Sequence, residues 1–201
     1  MQCWKVVGLF GLNFSRKLSD DAELSLRGSV EGRPAGGVRI SVFEYEESRF
    51  QEREAESVDE CFPLKALPTI TWINVIGAHQ PEVVGKIEEK LNLHPLVVED
   101  IMSRERRPRI EYFEDYVFIT LRMLRVEGAE ISSENVSLIV GPNYVVSLQE
   151  REGDVFDPVR VLIRSSKGKI RRTGSDYLAY SLMDAIVDGY FSVGEGWRDD
   201  R

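Results

Sequence analysis

Hydrophobic and polar positions along the chain follow two different periods, which predict strands and helices in a mixed order. Short runs rich in β-branched and aromatic residues predict strands, and apolar positions three or four residues apart predict helices. The predicted strands are 38–42, 69–75, 116–124, 136–140 and 144–148. The predicted helices begin at Pro81, at Pro95, at Asp157 and after Ser175, and the last one runs to about Phe191.

Proline and glycine support these boundaries. Pro81 and Pro95 suit the first turn of a helix, where the amide hydrogen that proline lacks would have no partner. The sequence Gly141-Pro-Asn143 lies between two apolar runs and predicts a tight hairpin, so antiparallel pairing is expected. Strands and helices together predict an α+β or mixed α/β body.

Two segments do not fit this pattern. Residues 1–32 show no sustained periodicity and lead into a stretch rich in glycine, so they are predicted to be an N-terminal extension of uncertain structure. From Glu44 to Glu60 acidic residues outnumber basic ones. This acidic stretch predicts a solvated helix or loop.

Charge and cysteine content narrow the function classes. The chain has 201 residues and a formal net charge of −8, which opposes nucleic acid as a partner and favours cations as ligands. Cys3 and Cys61 form no Cys-x-x-Cys pair, so neither a zinc ribbon nor a redox motif is predicted. Arginines cluster at positions 104, 106, 107 and 109, which could mark a phosphate or nucleic-acid surface, but an interface or intramolecular ion pairs explain them as well.

Enzyme templates are absent from the sequence. It contains no phosphate-binding glycine loop, no Gly-x-Gly-x-x-Gly, no His-Glu-x-x-His and no Gly-x-Ser-x-Gly. The two histidines are His79 and His94, and His94 precedes Pro95 at a helix start, where it is predicted to pack or cap. We therefore predict binding without catalysis.

Two pairs of carboxylates remain as candidate chemistry, because each lies in a predicted helix with apolar neighbours. One pair is Glu99 and Asp100, and the other is Asp184 and Asp188. Asp184 and Asp188 are four residues apart, so they share one edge of a helix and repel each other. A hard divalent cation such as Mg²⁺ would relieve that repulsion with one or two carboxylates and several waters. The alternative, acids that merely solvate a surface, stays open at this point.

Several linked motifs carry a resemblance to a known family. In chain order they are Thr69-Ile-Thr-Trp-Ile-Asn74, Leu93-His-Pro-Leu-Val-Val-Glu-Asp-Ile101, Arg107-Pro-Arg-Ile-Glu-Tyr-Phe-Glu-Asp-Tyr-Val-Phe-Ile119, Glu134-Asn-Val-Ser-Leu-Ile-Val140, Gly153-Asp-Val-Phe-Asp-Pro-Val159 and Asp176-Tyr-Leu-Ala-Tyr-Ser-Leu-Met-Asp-Ala-Ile-Val-Asp188. Their order and spacing over residues 33–191 resemble the N-terminal cytosolic domain of CorA-family magnesium and cobalt transporters.

The resemblance implies a fold and a function. The fold would be α/β: a mixed parallel and antiparallel sheet with helices on both faces, an α/β/α sandwich, followed by the start of a long C-terminal helix. The chain would be the cytoplasmic domain of a membrane channel, a homopentamer that carries Mg²⁺ and often Co²⁺ or Ni²⁺. Glu99, Asp100 and Asp184 would bind regulatory divalent ions between neighbouring subunits, and Asp188 is added because it shares a helix edge with Asp184.

The C-terminal end departs from the family. Residues 192–201 contain two glycines where CorA proteins continue into a stalk helix, and the stalk, the transmembrane helices and the Gly-Met-Asn pore signature are not among the 201 residues. The expectation is therefore a fragment of a longer transporter that cannot transport alone. Two alternatives remain: a zinc transporter of the same superfamily, and a stand-alone soluble sensor of divalent ions.

Overall fold

A seven-stranded sheet forms the centre of the chain in a computed structural model, which describes residues 37–78, 80–103, 107–127 and 130–199. The predicted extension 1–32, Cys3 and His79 lie outside these ranges. The strands are β1 Arg39–Tyr45, β2 Phe50–Ala55, β3 Ile70–Ile76, β4 Arg109–Tyr112, β5 Val117–Glu127, β6 Glu130–Val140 and β7 Tyr144–Gln149. The helices are α1 Pro81–Leu91, α2 Pro95–Met102, α3 Asp157–Ser165 and α4 Ser175–Asp199.

The strand order in the sheet is β2-β1-β3-β7-β6-β5-β4. Only the pairing of β3 with β7 is parallel, and every other neighbouring pair in this sheet is antiparallel. The predicted hairpin is confirmed, since Val140 and Val145 pair across the turn that contains Gly141. The prediction of a mixed sheet is confirmed as well.

Helices α1 and α2 cover the first face of the sheet. Val83 and Ile87 of α1 and Val97 of α2 are buried in one cluster with Ile73 of β3 and Phe118 of β5. The predicted apolar stripe of α1 therefore faces the sheet, while the charged residues of that helix face outward. Burial of each such side chain contributes on the order of 1.5–3 kcal/mol to folding.

Helices α3 and α4 cover the second face. Helix α4 contacts β5, β6 and β7, and Leu178, Leu182 and Ile186 on its inner side are fully buried. Near α3, the ring of Trp72 stacks on Phe43 with centroids 4.7 Å apart. Because successive residues of β3 point to opposite faces and both faces are covered, all seven residues of this strand are buried. The α/β architecture with helices on both faces is confirmed.

The prediction for the acidic stretch was wrong. Residues 50–55 form strand β2, which pairs antiparallel with β1 at one edge of the sheet, and a short 3-10 helix follows at Val58–Cys61. The charged residues of β2 are compatible with a strand because an edge strand has one unpaired side and charge there discourages association with other sheets. Composition alone does not reveal such a strand.

Two further boundaries differ from the sequence prediction. Strand β4, only four residues long, was not among the predicted strands, and it pairs with β5 at the other edge of the sheet. Helix α4 continues to Asp199, past the predicted end at Phe191. Glycine inside a helix costs about 1 kcal/mol relative to alanine, which lowers helix stability without requiring the helix to end.

A buried ion pair fixes the connection from β7 to α3. Both terminal nitrogens of Arg160 donate to Asp154 at 2.6 Å, Gln149 Nε2 donates to Asp154 Oδ2 at 2.8 Å, and the Phe156 backbone N–H donates to Asp154 Oδ1 at 3.0 Å. The guanidinium also lies 5.4 Å from the centroid of the Trp72 ring. Burial alone would raise the pKa of Asp154, but the hydrogen bonds and the charge of Arg160 outweigh it and hold that pKa below 3.8.

Replacing Gly141 by alanine should destabilise the hairpin. A methyl group at this position would overlap the buried ring of Tyr144, whereas a methyl group on Gly85 in α1 would meet no atom within 4 Å. We expect Gly141→Ala to lower the free energy of unfolding by about 1–3 kcal/mol. Gly85→Ala should raise it by about 0.5–1 kcal/mol because alanine favours helix. Urea unfolding of both variants measures this, and equal effects would contradict it.

Replacing Asp154 by asparagine should remove an acid-sensitive part of the stability. Because the folded state holds the pKa of Asp154 low, its contribution is present above pH 3.8 and is lost as the pH falls below that value. We expect Asp154→Asn to cost about 3 kcal/mol at pH 7 and to flatten the loss of stability below pH 4.

Asp157→Asn is the matched control for this experiment. Asp157 pairs with the same Arg160 at 2.9 Å, but its side chain is 83% exposed. An exposed pair contributes less than about 1 kcal/mol, so this variant should retain both the stability and the pH profile of the unchanged chain. Urea unfolding at pH 7 and at pH 3 measures the stability of both variants. A larger loss of stability in Asp157→Asn than in Asp154→Asn would contradict the assignment of the acid-sensitive stability to Asp154.

Candidate cation site

The first carboxylate pair lies on α2, whose N-terminus is fixed by His94. The Leu96 backbone N–H donates to His94 Nδ1 at 3.2 Å, and the His94 backbone N–H donates to the Tyr116 hydroxyl at 2.9 Å. The prediction that His94 caps a helix is confirmed. Since Val97 is fully buried against the first face of the sheet, the helix is held at its start and along its inner side.

Glu99 and Asp100 occupy the last turn of α2. The Glu99 side chain is exposed, and Asp100 is only 4% exposed. This last turn contains no basic residue. A helix C-terminus carries a partial negative charge, which disfavours nearby carboxylates by about 0.3–1 kcal/mol each. The end of α2 therefore attracts a cation.

Strand β4 supplies one such cation, Arg109. Its guanidinium forms an ion pair with Asp100 and lies 3.4 Å from Glu111 Oε1 on the same strand. The Arg109 side chain is 35% exposed, so it lies between the buried carboxylate and solvent. The interpretation of the arginines as ion-pairing residues is confirmed for Arg109, but the sequence did not indicate its partner, because the contact joins α2 to a strand that was not predicted.

The second carboxylate pair lies on the outer side of α4. Asp184 and Asp188 are exposed, and so are Tyr180 at 45% and Phe191 at 66%. With 100° of rotation per residue, these four positions fall within about 80° of one another around the helix axis. They form one stripe, which we call the outer α4 stripe, of two acids flanked by two aromatic rings.

The structure does not bring the two carboxylate pairs together within one chain. Helix α2 lies on the first face of the sheet and α4 on the second. In the described ranges, no group of three or more Asp, Glu, His or Cys side chains is placed to hold a metal ion. The oxygen donors fit a hard ion such as Mg²⁺, which accepts one or two carboxylates and completes its shell with water. Each pair can therefore supply part of a coordination shell.

Comparison with known proteins gives the family. A family model described as CorA-like Mg2+ transporter protein matches residues 68–199. The cobalt/magnesium transport protein CorA of Thermotoga maritima is 45% identical over 163 residues, which cover 80% of this chain and 46% of that protein. The chain thus spans about half the length of this relative.

Solved structures show the same fold at low sequence identity. The full-length CmaX protein superposes with a TM-score of 0.65 at 15% identity, over 85% of this chain and 51% of that one. The soluble domain of CorA from Methanocaldococcus jannaschii superposes with a TM-score of 0.56 at 15% identity, over 84% of this chain and 63% of that one.

None of the helices in the described part of the chain is both long and apolar enough to cross a bilayer. The predicted absence of catalysis agrees with the matched family, which consists of transporters and not of enzymes. From the family model over residues 68–199 and the 45% identity to a CorA protein, the chain belongs to the CorA family.

Proposed function

We propose that the chain is the cytosolic domain of a CorA-like Mg²⁺ channel and that it senses divalent cations through its two carboxylate pairs. The channel would be a homopentamer that carries Mg²⁺ and also Co²⁺ or Ni²⁺. The family and the 45% identity to a cobalt/magnesium transport protein support the transport role. The sensing role is supported by the position of the acids.

The observation that carries the sensing role is that the pairs occur on opposite faces of one sheet. Glu99 and Asp100 belong to α2, which covers the first face of the sheet. The outer α4 stripe belongs to α4, which covers the second face. A closed ring of identical copies uses two different patches of each subunit at every interface. Such a ring can place the α2 pair of one copy near the α4 pair of the next, so a cation site arises between copies.

Ion occupancy then controls the arrangement of the subunits. Without ions, acids that face each other across an interface repel, and a divalent cation between them replaces that repulsion by attraction. A ligand shifts an equilibrium only by its difference in affinity for the two states. Bound Mg²⁺ would favour the closed, symmetric ring, and depletion of Mg²⁺ would release the subunits and open the pore.

The donor atoms favour Mg²⁺ over the zinc alternative. All four candidate residues, Glu99, Asp100, Asp184 and Asp188, are carboxylates, which suit hard ions, whereas zinc sites in proteins usually include cysteine or histidine. The stand-alone sensor differs from the channel domain in its cellular location, which a fractionation experiment decides.

The sensing role predicts a specific effect of Mg²⁺ on stability and association. We expect millimolar MgCl₂ to raise the melting temperature of the chain more than NaCl of equal ionic strength, because an ion that binds only the folded state stabilises it by mass action. The shift should be a few degrees at most, since each copy supplies only part of a coordination shell. Differential scanning fluorimetry with sedimentation velocity measures both quantities.

A charge-matched pair of double variants makes this experiment specific. Asp184→Asn with Asp188→Asn should abolish the Mg²⁺ effect. Glu82→Gln with Glu89→Gln removes the same charge from exposed positions of α1 and should preserve the effect. If Mg²⁺ acts no more strongly than NaCl, or if both double variants respond like the unchanged chain, the sensing role is wrong.

The channel role predicts a membrane location for the native protein. An antibody raised against this chain should detect a band above 22.9 kDa, the mass of this chain, in the membrane fraction of the source cells. The larger mass is expected because the chain spans 46% of its CorA relative. A band of 22.9 kDa confined to the soluble fraction would contradict the channel role and favour the stand-alone sensor.

A further inference from the structure

Arg109 occupies a position that the cation-sensing role does not by itself explain. Its guanidinium pairs with Asp100, which is buried at 4% exposure, while Arg109 itself remains 35% exposed. The buried Nε atom of Arg109 has no hydrogen-bond partner among the residues that the structure describes. The arginine therefore covers the carboxylate without using its full set of donors.

We propose that Arg109 is a built-in competitor of the divalent cation at Asp100. In the ion-free chain the guanidinium neutralises the end of α2, and a divalent ion can bind the Asp100 carboxylate only when Arg109 moves away. This inference rests on the proposed sensing function and concerns the regulation of the same site. It assigns Arg109 the role of a residue that sets ion affinity.

The charge arrangement supports an exchange of cations. Two acids in the last turn of α2, with no base in that turn, lie at the negative end of the helix, so a positive charge beside this end stabilises it. Either the guanidinium or a divalent ion can provide that charge. A guanidinium and a divalent ion at the same carboxylate repel each other, which makes the two cations alternatives rather than independent ligands.

Glu111 gives the displaced guanidinium a second partner. Its Oε1 atom lies 3.4 Å from Arg109 Nη1, and Glu111 follows Arg109 by two residues along β4. Both side chains project from the first face of the sheet, because residues 109 and 111 alternate with residue 110 along the strand. Moving from Asp100 toward Glu111 thus requires a change of side-chain rotamer and no movement of the backbone.

Competition of this kind weakens ion binding by a defined factor. The affinity of Asp100 for the divalent ion is reduced by the free energy needed to break its pair with Arg109, and couplings of this type change affinities by about 5–150-fold. Removing the competitor should therefore strengthen Mg²⁺ binding, which is the opposite of what the loss of a purely structural ion pair would do.

The test compares Mg²⁺ binding in Arg109→Gln, Arg109→Lys and the unchanged chain. Titration calorimetry and the Mg²⁺-induced shift in melting temperature provide two readouts. We expect Arg109→Gln to melt at a lower temperature without Mg²⁺, to bind Mg²⁺ about tenfold more tightly and to show a larger melting shift. Arg109→Lys keeps the positive charge but lacks the planar guanidinium. Its Mg²⁺ affinity and melting shift should lie between those of the unchanged chain and of Arg109→Gln.

Arg49→Gln is the control for loss of a positive charge. Arg49 is 86% exposed and pairs with Glu46 at 3.7 Å, so its removal changes net charge without touching α2 or β4. Its Mg²⁺ affinity should stay within about twofold of the unchanged chain. A gain in affinity equal to that of Arg109→Gln would show a general charge effect and overturn the proposal.

A spectroscopic readout follows the arginine directly. In a chain labelled with ¹⁵N-arginine, the Nε–H signal that disappears in Arg109→Gln should shift on titration with Mg²⁺. The signal of Arg160, whose guanidinium is fixed by Asp154, should not shift. If the Arg109 signal is insensitive to Mg²⁺ in a chain that binds it, the arginine is not displaced and the proposal is wrong.

The outcomes separate this proposal from the sensing function. If the unchanged chain responds to Mg²⁺ and Arg109→Gln binds it equally or more weakly, the competitor role fails and the sensing role stands. If Arg109→Gln is unfolded, Arg109→Lys and the Arg109 signal decide by the same criteria. If neither the unchanged chain nor any Arg109 variant responds to Mg²⁺ beyond matched NaCl, both proposals fail together.

Discussion

The parallel pairing of β3 with β7 joins the two halves of the sheet, and the rest of the fold depends on it. Strands β2, β1 and β3 form one antiparallel half, and β7, β6, β5 and β4 form the other. A parallel pair cannot be closed by a hairpin, so the chain between β3 and β7 must cross from one end of the sheet to the other. Helices α1 and α2 begin that crossover, and their apolar sides cover the first face.

This topology also determines on which face of the sheet each pair of acidic residues lies. After β7 the chain passes to the second face, where the Asp154–Arg160 pair fixes the start of α3 before α4 crosses β5, β6 and β7. The acids of α2 and of α4 thus end on opposite faces of one sheet. Both pairs consist of carboxylates, so positive charge from other residues or from ions stabilises each of them. For α2 the source in this structure is Arg109, and for both pairs a divalent ion between copies would serve.

The sequence predicted those elements in which local pattern and tertiary environment agree. The apolar stripe of Val83 and Ile87, the first-turn prolines and the turn at Gly141 agree with the tertiary environment, so the starts of α1 and α2 and the turn between β6 and β7 were predicted near their observed positions. Strand β6 itself begins six residues before its predicted start at residue 136. Strands β2 and β4 were missed because edge strands bury little and carry charge, which removes the alternation by which a strand is recognised.

The sequence predicted which residues belong to the candidate site, but not which residues they contact. Helical spacing placed Asp184 and Asp188 on one edge, and both are exposed. The contact between Asp100 and Arg109 depends on how an unpredicted strand lies against the end of α2, and no local pattern contains that information. The same is true of the position of α2 and α4 on opposite faces, which follows from strand order.

A carboxylate that already holds an internal cation suits a sensor better than a permanent metal site. An ion that binds a vacant, preorganised cluster of acids stays bound over a wide range of concentration, so its occupancy reports little about supply. An ion that must first displace a guanidinium binds more weakly, and occupancy then changes in the range where the free ion itself changes. In the proposed exchange, Arg109 would also support the ion-free state, because the buried Asp100 would lie beside a cation in both states. In the proposed sensing role, removal of the ion would loosen contacts between subunits without unfolding the domain.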